Sequence, residues 1–286
     1  LENNPYVDKI YRIDKNVSEI FFQLKKENYD FVIDLHHNLR SAHVKYILGK
    51  PSASFRKLNI EKWLMVNLRV NKLPTVHIVD RYFETVKSLP GLSGQIGVKN
   101  DGKGLDYFIP GKDEVDLKTL PLEFQDGYIG FVIGAKFQTK QMPAEKITSI
   151  IKKINQPVIL LGSKEDFEKG ELISKEVGKN VFNVCGKYNL NQSASLVKQA
   201  KKIITHDTGL MHIAAAFKKE IISVWGNTIS QFGMHPYLPD ENSRIMEVKN
   251  LSCRPCSKLG HAECPKKHFR CMMEINEEEI VKLAQE

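Results

Sequence analysis

The fold is decided by the stretch Lys202-Ile-Ile-Thr-His-Asp-Thr-Gly-Leu-Met-His-Ile-Ala-Ala-Ala216. Its β-branched start predicts a buried strand over 202–205, and its Ala-rich second half predicts a helix over 210–217. The turn between them, His206-Asp-Thr-Gly209, places a helix N-terminus at a strand end. Free backbone N–H groups and the helix dipole at such a start favour phosphate oxygens. The stretch therefore predicts a phosphate site, with a plain capped helix and no ligand as the alternative.

Strands and helices also alternate around this stretch. Strands are predicted at 7–13, 31–35, 128–134, 157–161, 181–184 and 221–225, and helices at 39–48, 60–70, 79–88, 143–153, 165–177 and 190–200. This alternation predicts a parallel α/β sheet with helices on both faces. In such sheets, ligands bind at the carboxyl ends of the strands.

Length and composition limit the classes of protein. A chain of 286 residues predicts two domains, and the Gly-, Pro- and Asp-rich segment 89–127 predicts a boundary between domains 1–115 and 116–286. With 42% hydrophobic and 27% charged residues, a disordered or collagen-like chain is excluded. No apolar run is long enough to predict a membrane span. A net charge of +8 favours an anionic partner, whether nucleic acid, phosphorylated metabolite or membrane face.

Polar side chains follow several of the predicted strands. Lys136 and Lys140 follow 128–134, Glu165 follows 157–161, and Tyr188 follows 181–184. A lysine can balance diphosphate charge, a carboxylate can hold ribose hydroxyls, and an aromatic ring can contact a base. Asp207 would repel a bare diphosphate, so it caps the helix, holds a sugar hydroxyl or meets a cation. Together these groups predict a nucleotide pocket.

Four of the five cysteines crowd into 19 residues. Cys253, Cys256, Cys264 and Cys271 are separated by two, seven and six residues, with His261 and His268 nearby. The odd cysteine count predicts free thiols in a reducing cytoplasm rather than a disulfide framework. Free thiols are the favoured interpretation and no cofactor is expected to be required; a structural zinc site is the alternative.

Several of these elements occur together in one known family. Asp207-Thr-Gly-Leu-Met-His-Ile-Ala-Ala-Ala216, followed by Val224-Trp-Gly-Asn-Thr228, resembles the most distinctive stretch of glycosyltransferase family 9, the ADP-heptose:lipopolysaccharide heptosyltransferases. Lys140 shortly before Pro143, the Asp34…Arg40-Ser41 element and the cysteine-rich tail are also similar. The resemblance covers almost the whole chain.

The resemblance implies a GT-B architecture, in which two Rossmann-like domains face each other across a central cleft. It implies inverting transfer of a heptose from ADP-heptose to a hydroxyl of the anionic lipopolysaccharide inner core. By position, Thr208, Gly209 and Leu210 would bind the diphosphate, and Lys140 would neutralise the leaving group. Further donor-site residues implied by position are Asp207, Met211, His212, Thr228, Glu165 for the ribose and Tyr188 for the adenine.

On the acceptor side, the resemblance implies Arg40 and Ser41. They lie among further basic residues, Lys45, Lys50, Arg56 and Lys57, which suit acceptor carboxylates and phosphates. The chain is expected to be a monomer in the cytoplasm, peripheral to the inner membrane. No nucleic-acid partner is expected, because Phe269 is the only aromatic residue among the basic residues of the tail.

The N-terminal end of the sequence departs from the family pattern. Family members open with a strand and a Gly-Asp loop, which nothing before Val7 supplies. The first domain is therefore expected to be incomplete, and the general base is unknown. A catalytically silent or different nucleotide-sugar-binding relative remains an alternative function, with a basic nucleic-acid-binding module as a weaker one. An NAD-dependent enzyme is not expected, because no Gly-x-Gly-x-x-Gly turn is present.

Overall fold

The computed structural model describes residues 2–87 and 100–286 of the chain. The first part contains α1 (Phe21–Lys26), β1 (Val32–Asp34), α2 (Leu39–Leu48), β2 (Ser52–Ser54), α3 (Asn59–Leu68) and α4 (Ile78–Lys87). The second part contains β3 (Ile129–Val132), α5 (Ala144–Lys153), β4 (Val158–Leu161), α6 (Phe167–Val177), β5 (Val181–Asn183), α7 (Leu190–Gln199), β6 (Lys202–His206), α8 (Gly209–Ala216), β7 (Glu220–Trp225), β8 (Arg244–Glu247), α9 (Arg270–Met273) and α10 (Glu277–Gln285).

The second part is built on a six-stranded parallel sheet with the order β5-β4-β3-β6-β7-β8. β3 pairs with β6 in the middle, with Val132 opposite Thr205. The chain winds outward from β3 in one direction and from β6 in the other. This is the strand order of a Rossmann-like sheet, and its crevice opens where the winding reverses, between the carboxyl ends of β3 and β6. The predicted parallel sheet is confirmed.

The core consists of two buried layers, one on each face of this sheet. Successive strand residues point to opposite faces, so Ile203 packs in one layer and Ile204 in the other. Phe131 shares its layer with Ile204, and Val132 shares its layer with Ile203. Helices on both sides of the sheet therefore explain why β3 and β4 are fully buried and why only Lys202 of β6 is partly exposed.

The first part pairs β1 with β2 as a two-stranded parallel sheet. The predicted strand at 7–13 is wrong, because no strand of the described part of the chain pairs with it. Instead, the side chains of Lys9 and Tyr11 both hydrogen-bond to the Glu27 carboxylate. The predicted helix 79–88 is observed as α4, and its last predicted residue lies outside the described residues.

The segment before β3 packs on the second sheet. Tyr107, Ile109 and Val115 contact its buried layer, and the Asp113 carboxylate accepts hydrogen bonds from Asn189 and Asn191 at 3.0 and 2.9 Å. The domain boundary between 115 and 116 and the incompleteness of the first domain stay predictions. Among the described helices, none is both long and apolar enough to cross a membrane.

Candidate functional site

A cavity of about 660 Å³ opens at the carboxyl ends of the central strands. It occupies the crevice that the strand order predicts, with the start of α8 on one side and the start of α6 on the other. Its walls are formed by Val132, Gly134, Ala135, Lys136, Gln141, Gly162, Ser163, Glu165, Asp166, Lys169, Tyr188, Leu190, Ser193, Thr208, Gly209 and Leu210.

The N-terminus of α8 opens onto this cavity. Thr208 is the N-cap residue, in extended conformation, and Gly209 is the first helical residue. A Cβ built on Gly209 would meet no protein atom within 4 Å, and the φ of Gly209 lies outside the left-handed region. The absence of a side chain at this position therefore keeps space free in front of the helix N–H groups rather than relieving the backbone.

Asp207 and Lys140 form an ion pair beside the cavity. The Lys140 Nζ lies 2.5 Å from the Asp207 Oδ2, and the side chains are only 15% and 11% exposed. The Thr228 hydroxyl donates to the same Oδ2 at 3.0 Å. Of the three roles predicted for Asp207, meeting a cation is observed, as the contact with Lys140, and holding a sugar hydroxyl stays a prediction. The capping role is wrong, because Thr208 occupies the N-cap position.

Lys140 and Thr228 are held in place by the cysteine-rich tail, residues 251–271. The Thr139 N–H donates to the His261 carbonyl at 3.3 Å, and the His261 N–H donates to the Thr139 hydroxyl at 2.8 Å. The Arg254 guanidinium donates to the Thr228 carbonyl at 2.7 Å and to the Glu247 carboxylate at 2.6 Å. The tail therefore fixes both residues that contact Asp207.

Only some of the predicted donor-site residues line the cavity. Glu165 and Tyr188 line the cavity, as do Thr208 and Leu210. Met211 is fully buried in the apolar layer under α8 and has no surface in the cavity. His212 is partly buried beside the Lys140–Asp207 pair, where burial lowers the pKa of its imidazole. Lys140, Asp207 and Thr228 lie next to the cavity wall rather than in it.

The strand-end glycines make room for protein atoms. A Cβ on Gly134 would overlap the Asp166 carboxylate, and a Cβ on Gly162 would lie 2.9 Å from the Asp166 Cβ. Asp166 is buried and accepts from the N–H and the hydroxyl of Ser163 at 2.8 and 2.7 Å. The glycines therefore let a carboxylate sit between the ends of β3 and β4, at the floor of the cavity.

Lys169 is a cavity residue that the sequence analysis missed. Its Nζ donates to the Met142 carbonyl at 2.7 Å and to the Ile133 carbonyl at 3.3 Å. Burial lowers the pKa of its ammonium to about 8, although the nearby Asp166 opposes this shift. Lys169 follows Glu165 by four residues, so helical periodicity alone would have placed both side chains on one face.

Of the two predicted acceptor-side residues, Arg40 is exposed to solvent and Ser41 is hydrogen-bonded at the start of α2. The Ser41 hydroxyl caps α2 by accepting from the Asn38 N–H at 2.9 Å. Lys45 lies 3.2 Å from Asp34. Burial alone would raise the pKa of Asp34, but the His37 N–H, the Ser41 hydroxyl and the Lys45 ammonium lower it to about 2.

The four thiols of the tail gather around a cavity of only about 20 Å³. All are free, and the Cys253 Sγ lies 3.7 Å from the His268 Nε2. Burial raises the pKa of the Cys271 thiol to about 12. Within residues 2–87 and 100–286, no group of three or more His, Cys, Asp or Glu side chains has the geometry of a metal site.

The reversal of strand order and the helix N-terminus facing the cavity define an α/β protein with a nucleotide-type crevice. The family model for glycosyltransferase family 9 (heptosyltransferase) matches residues 17–267. The chain therefore belongs to glycosyltransferase family 9, and the resemblance noted from its motifs is confirmed.

Individual relatives agree with this assignment. The lipooligosaccharide heptosyltransferase 2 of Haemophilus influenzae is 28% identical over 267 residues, which is 87% of this chain and 73% of that protein. The glycosyltransferase family 9 structure from Veillonella parvula has a TM-score of 0.71 at 21% identity, over 99% of this chain and 83% of its own. The structure of E. coli ADP-heptose lps heptosyltransferase II has a TM-score of 0.63 at 22% identity, over 93% and 78%. The predicted GT-B fold is confirmed by these structural neighbours.

Proposed function

We propose that this chain transfers a heptose from ADP-heptose to a hydroxyl of the lipopolysaccharide inner core, with inversion at the anomeric carbon. The observation that carries the proposal is the open start of α8, where Gly209 leaves space in front of free helix N–H groups at the crevice of the sheet. The names of the relatives support the sugar and the acceptor, since they are lipooligosaccharide and lipopolysaccharide heptosyltransferases.

The cavity walls offer a partner for each part of an ADP-sugar. The diphosphate would accept hydrogen bonds from the backbone N–H groups of Gly209 and Leu210 and from the Thr208 hydroxyl. Glu165, two residues before α6, is exposed and would hold the ribose hydroxyls; a hydrogen bond with Ser163 lowers the pKa of its carboxyl group. Tyr188 would contact the adenine. A volume of about 660 Å³ falls within the usual range for small-molecule sites.

The Lys140–Asp207 pair holds the lysine that would balance negative charge on the departing ADP. As the bond between the anomeric carbon and the diphosphate oxygen breaks, that electron pair stays on ADP and negative charge builds up there. The Lys140 ammonium, now 2.5 Å from Asp207, can turn to this charge. The acceptor oxygen bonds to the opposite face of the anomeric carbon, and its proton passes to a base that this proposal leaves unassigned.

Calorimetric titration with ADP-heptose beside ADP-glucose, UDP-glucose and GDP-mannose tests the donor. The proposal predicts that the two ADP-sugars bind and the UDP- and GDP-sugars do not, with ADP-heptose tighter than ADP-glucose. Equal affinity for all four, or no binding, would contradict it.

Activity is tested on lipopolysaccharide from a heptose-deficient strain. The proposal predicts release of ADP and an anomeric configuration in the product opposite to that of the donor, which nuclear magnetic resonance can read. A chain that binds ADP-heptose but forms no product would be a catalytically silent relative. We also propose that the protein acts as a monomer at the cytoplasmic face of the inner membrane, where this acceptor would be presented.

A further inference from the structure

A second concave surface lies between the end of α3 and the cysteine-rich tail. This groove has a volume of about 510 Å³ and is open to solvent on one side. We call it the tail groove; it is lined by Val66, Asn67, Arg69, Ser252, Cys253, Cys256, His261, Pro265 and Lys266. Among the described residues that line it, none is an aspartate or glutamate.

The positive charge of the tail groove has little internal compensation. Lys266 is exposed and makes no ion pair or hydrogen bond within the described part of the chain. Arg69 holds the groove together, because its guanidinium donates to the Pro255 carbonyl at 2.5 Å and to the Ser252 carbonyl at 3.2 Å. These partners are neutral, so both positive charges remain available to an anion.

Lys62 extends this positive surface along α3. It precedes Val66 by one helical turn and Arg69 by two, so the three residues share one face of the helix and its C-terminal end. Its ammonium lies 5.7 Å from the centre of the Phe232 ring and forms no ion pair with any described acid. Burial lowers the pKa of Lys62, and repulsion from Arg81 and Lys258 adds to this effect.

The tail groove is coupled by backbone contacts to the donor side. His261 lines the groove, and its main chain pairs with Thr139, the residue before Lys140. Cys256 lines it too, and its N–H donates to the Asn227 carbonyl at 3.3 Å, next to Thr228. Backbone hydrogen bonds therefore connect the groove lining directly to the residues next to Lys140 and Thr228.

We propose that the tail groove binds an anionic part of the acceptor, a carboxylate or phosphate carried by a sugar near the accepting hydroxyl. The identity of the acceptor rests on the proposed function, whereas the preference for an anion rests on the groove itself. Lys266 makes the mobile contact, and Arg69 and Lys62 supply the surrounding positive potential.

The two thiols that line the groove allow acceptor binding to be measured without catalysis, as protection from alkylation (a footprint). Cys253 and Cys256 line the groove, whereas Cys264 is similarly partly buried but lies outside it. Lipopolysaccharide from a heptose-deficient strain, at ten times its Kd, should slow alkylation of Cys253 and Cys256 by N-ethylmaleimide about tenfold. Alkylation of Cys264, read by peptide mass spectrometry, should not change. Equal rates at all three thiols with and without acceptor would overturn the proposal.

Chemical forms of the acceptor identify the anion. Dephosphorylated acceptor and carboxyl-reduced acceptor are compared with the intact form. Loss of protection with the first assigns a phosphate, and loss with the second assigns a carboxylate. Full protection by both forms would overturn the proposed preference for an anion.

A matched pair of variants tests the charge. Lys266→Met removes a groove lysine, whereas Lys267→Met removes an exposed lysine beside it that does not line the groove. Lys266→Met should raise the acceptor KM about tenfold, the size of one charge-assisted hydrogen bond, and leave the ADP Kd unchanged. An unchanged acceptor KM would overturn the proposal. If ADP does not bind to the wild-type protein, the proposed function fails, and the footprint still decides the groove.

Discussion

The Lys140 Nζ lies 2.5 Å from the Asp207 Oδ2, in a pair formed between residues 67 positions apart. The Thr228 hydroxyl donates a hydrogen bond to the same carboxylate oxygen at 3.0 Å. A diphosphate arriving at α8 therefore meets a lysine that is already neutralised. Under the proposed function, donor binding draws the Lys140 ammonium partly away from Asp207, which predicts that the affinity for ADP is sensitive to both residues.

Lys140→Ala is expected to weaken ADP binding by about 1.5–3 kcal/mol, because diphosphate charge loses its counter-ion and faces an unpaired Asp207. Asp207→Asn is the matched control. It frees Lys140 and removes a carboxylate, so it should bind ADP at least as tightly as the wild type. Calorimetric titration measures both, and unchanged affinity in Lys140→Ala would remove this lysine from the site.

Arg254→Met is expected to lower the free energy of unfolding by about 3 kcal/mol, because it breaks a buried ion pair and leaves Glu247 without a counter-ion. The Arg254 side chain is only 6% exposed. Arg270→Met is the control, since the exposed Arg270–Glu274 pair should contribute little. Urea denaturation compares the two, and equal losses of stability would contradict the stabilising role of the buried Arg254–Glu247 pair.

ADP affinity is expected to fall as the pH rises above about 8. Without ligand, the pKa of Lys169 is lowered to about 8, so the ammonium loses its proton near this pH. A bound diphosphate favours the charged form and raises this pKa, so binding takes up a proton above pH 8 and weakens there. Titrations from pH 7 to 9.5 should show this fall in the wild type and a flatter profile in Lys169→Met.

The lowered pKa of Lys169 has the opposite effect on the stability of the unliganded protein, which it increases as the pH rises. Lys169 has a lower pKa in the folded protein than its ordinary value of 10.5, so the unfolded chain binds more protons between about pH 8 and 10.5. The contribution of Lys169 to stability therefore rises with pH across this window. Weaker ADP binding at high pH with an unchanged or higher stability would separate the ligand effect from unfolding.

The second half of the chain is expected to fold without a metal ion. Cys271 packs in the apolar core, and its thiol has a raised pKa because of burial, which disfavours the thiolate that zinc requires. Elemental analysis should find well below one zinc or iron per chain, and a chelator should not shift the thermal unfolding midpoint. About one metal per chain together with unfolding on chelation would contradict this expectation.

Most of the fold could be predicted from the pattern of apolar residues along the sequence. The apolar β-branched runs of β3, β6 and β7 are buried on both faces, so their composition alone marks them as central strands. The run 7–13 also contains β-branched residues, but all of its residues are exposed or half-buried and they pair with no described strand. β2 and the edge strand β8 were missed, because Ser52–Ser54 and Arg244–Glu247 lack an apolar pattern.

Only the part of the site that is contiguous in sequence could be predicted from local sequence patterns. The turn before α8 could be located because strand, turn and helix are contiguous in sequence. The contact between Lys140 and Asp207, the burial of Met211 and the bond from Arg254 to Thr228 depend on segments far apart in the chain. Such contacts are set by how distant segments pack on the two faces of the sheet, which local residue types and spacings do not reveal.

The central claim is that a donor phosphate lies directly in front of Gly209. A Cβ there would meet no protein atom, so Gly209→Val should fold normally while its side chain occupies the phosphate position. Gly111→Val is the matched control: Gly111 also has open space around it, is exposed and lies outside the cavity. Circular dichroism should show both variants folded. The decisive measurement is calorimetric titration with ADP: Gly209→Val should show no binding while Gly111→Val binds like the wild type, and a folded Gly209→Val with wild-type affinity would contradict the account.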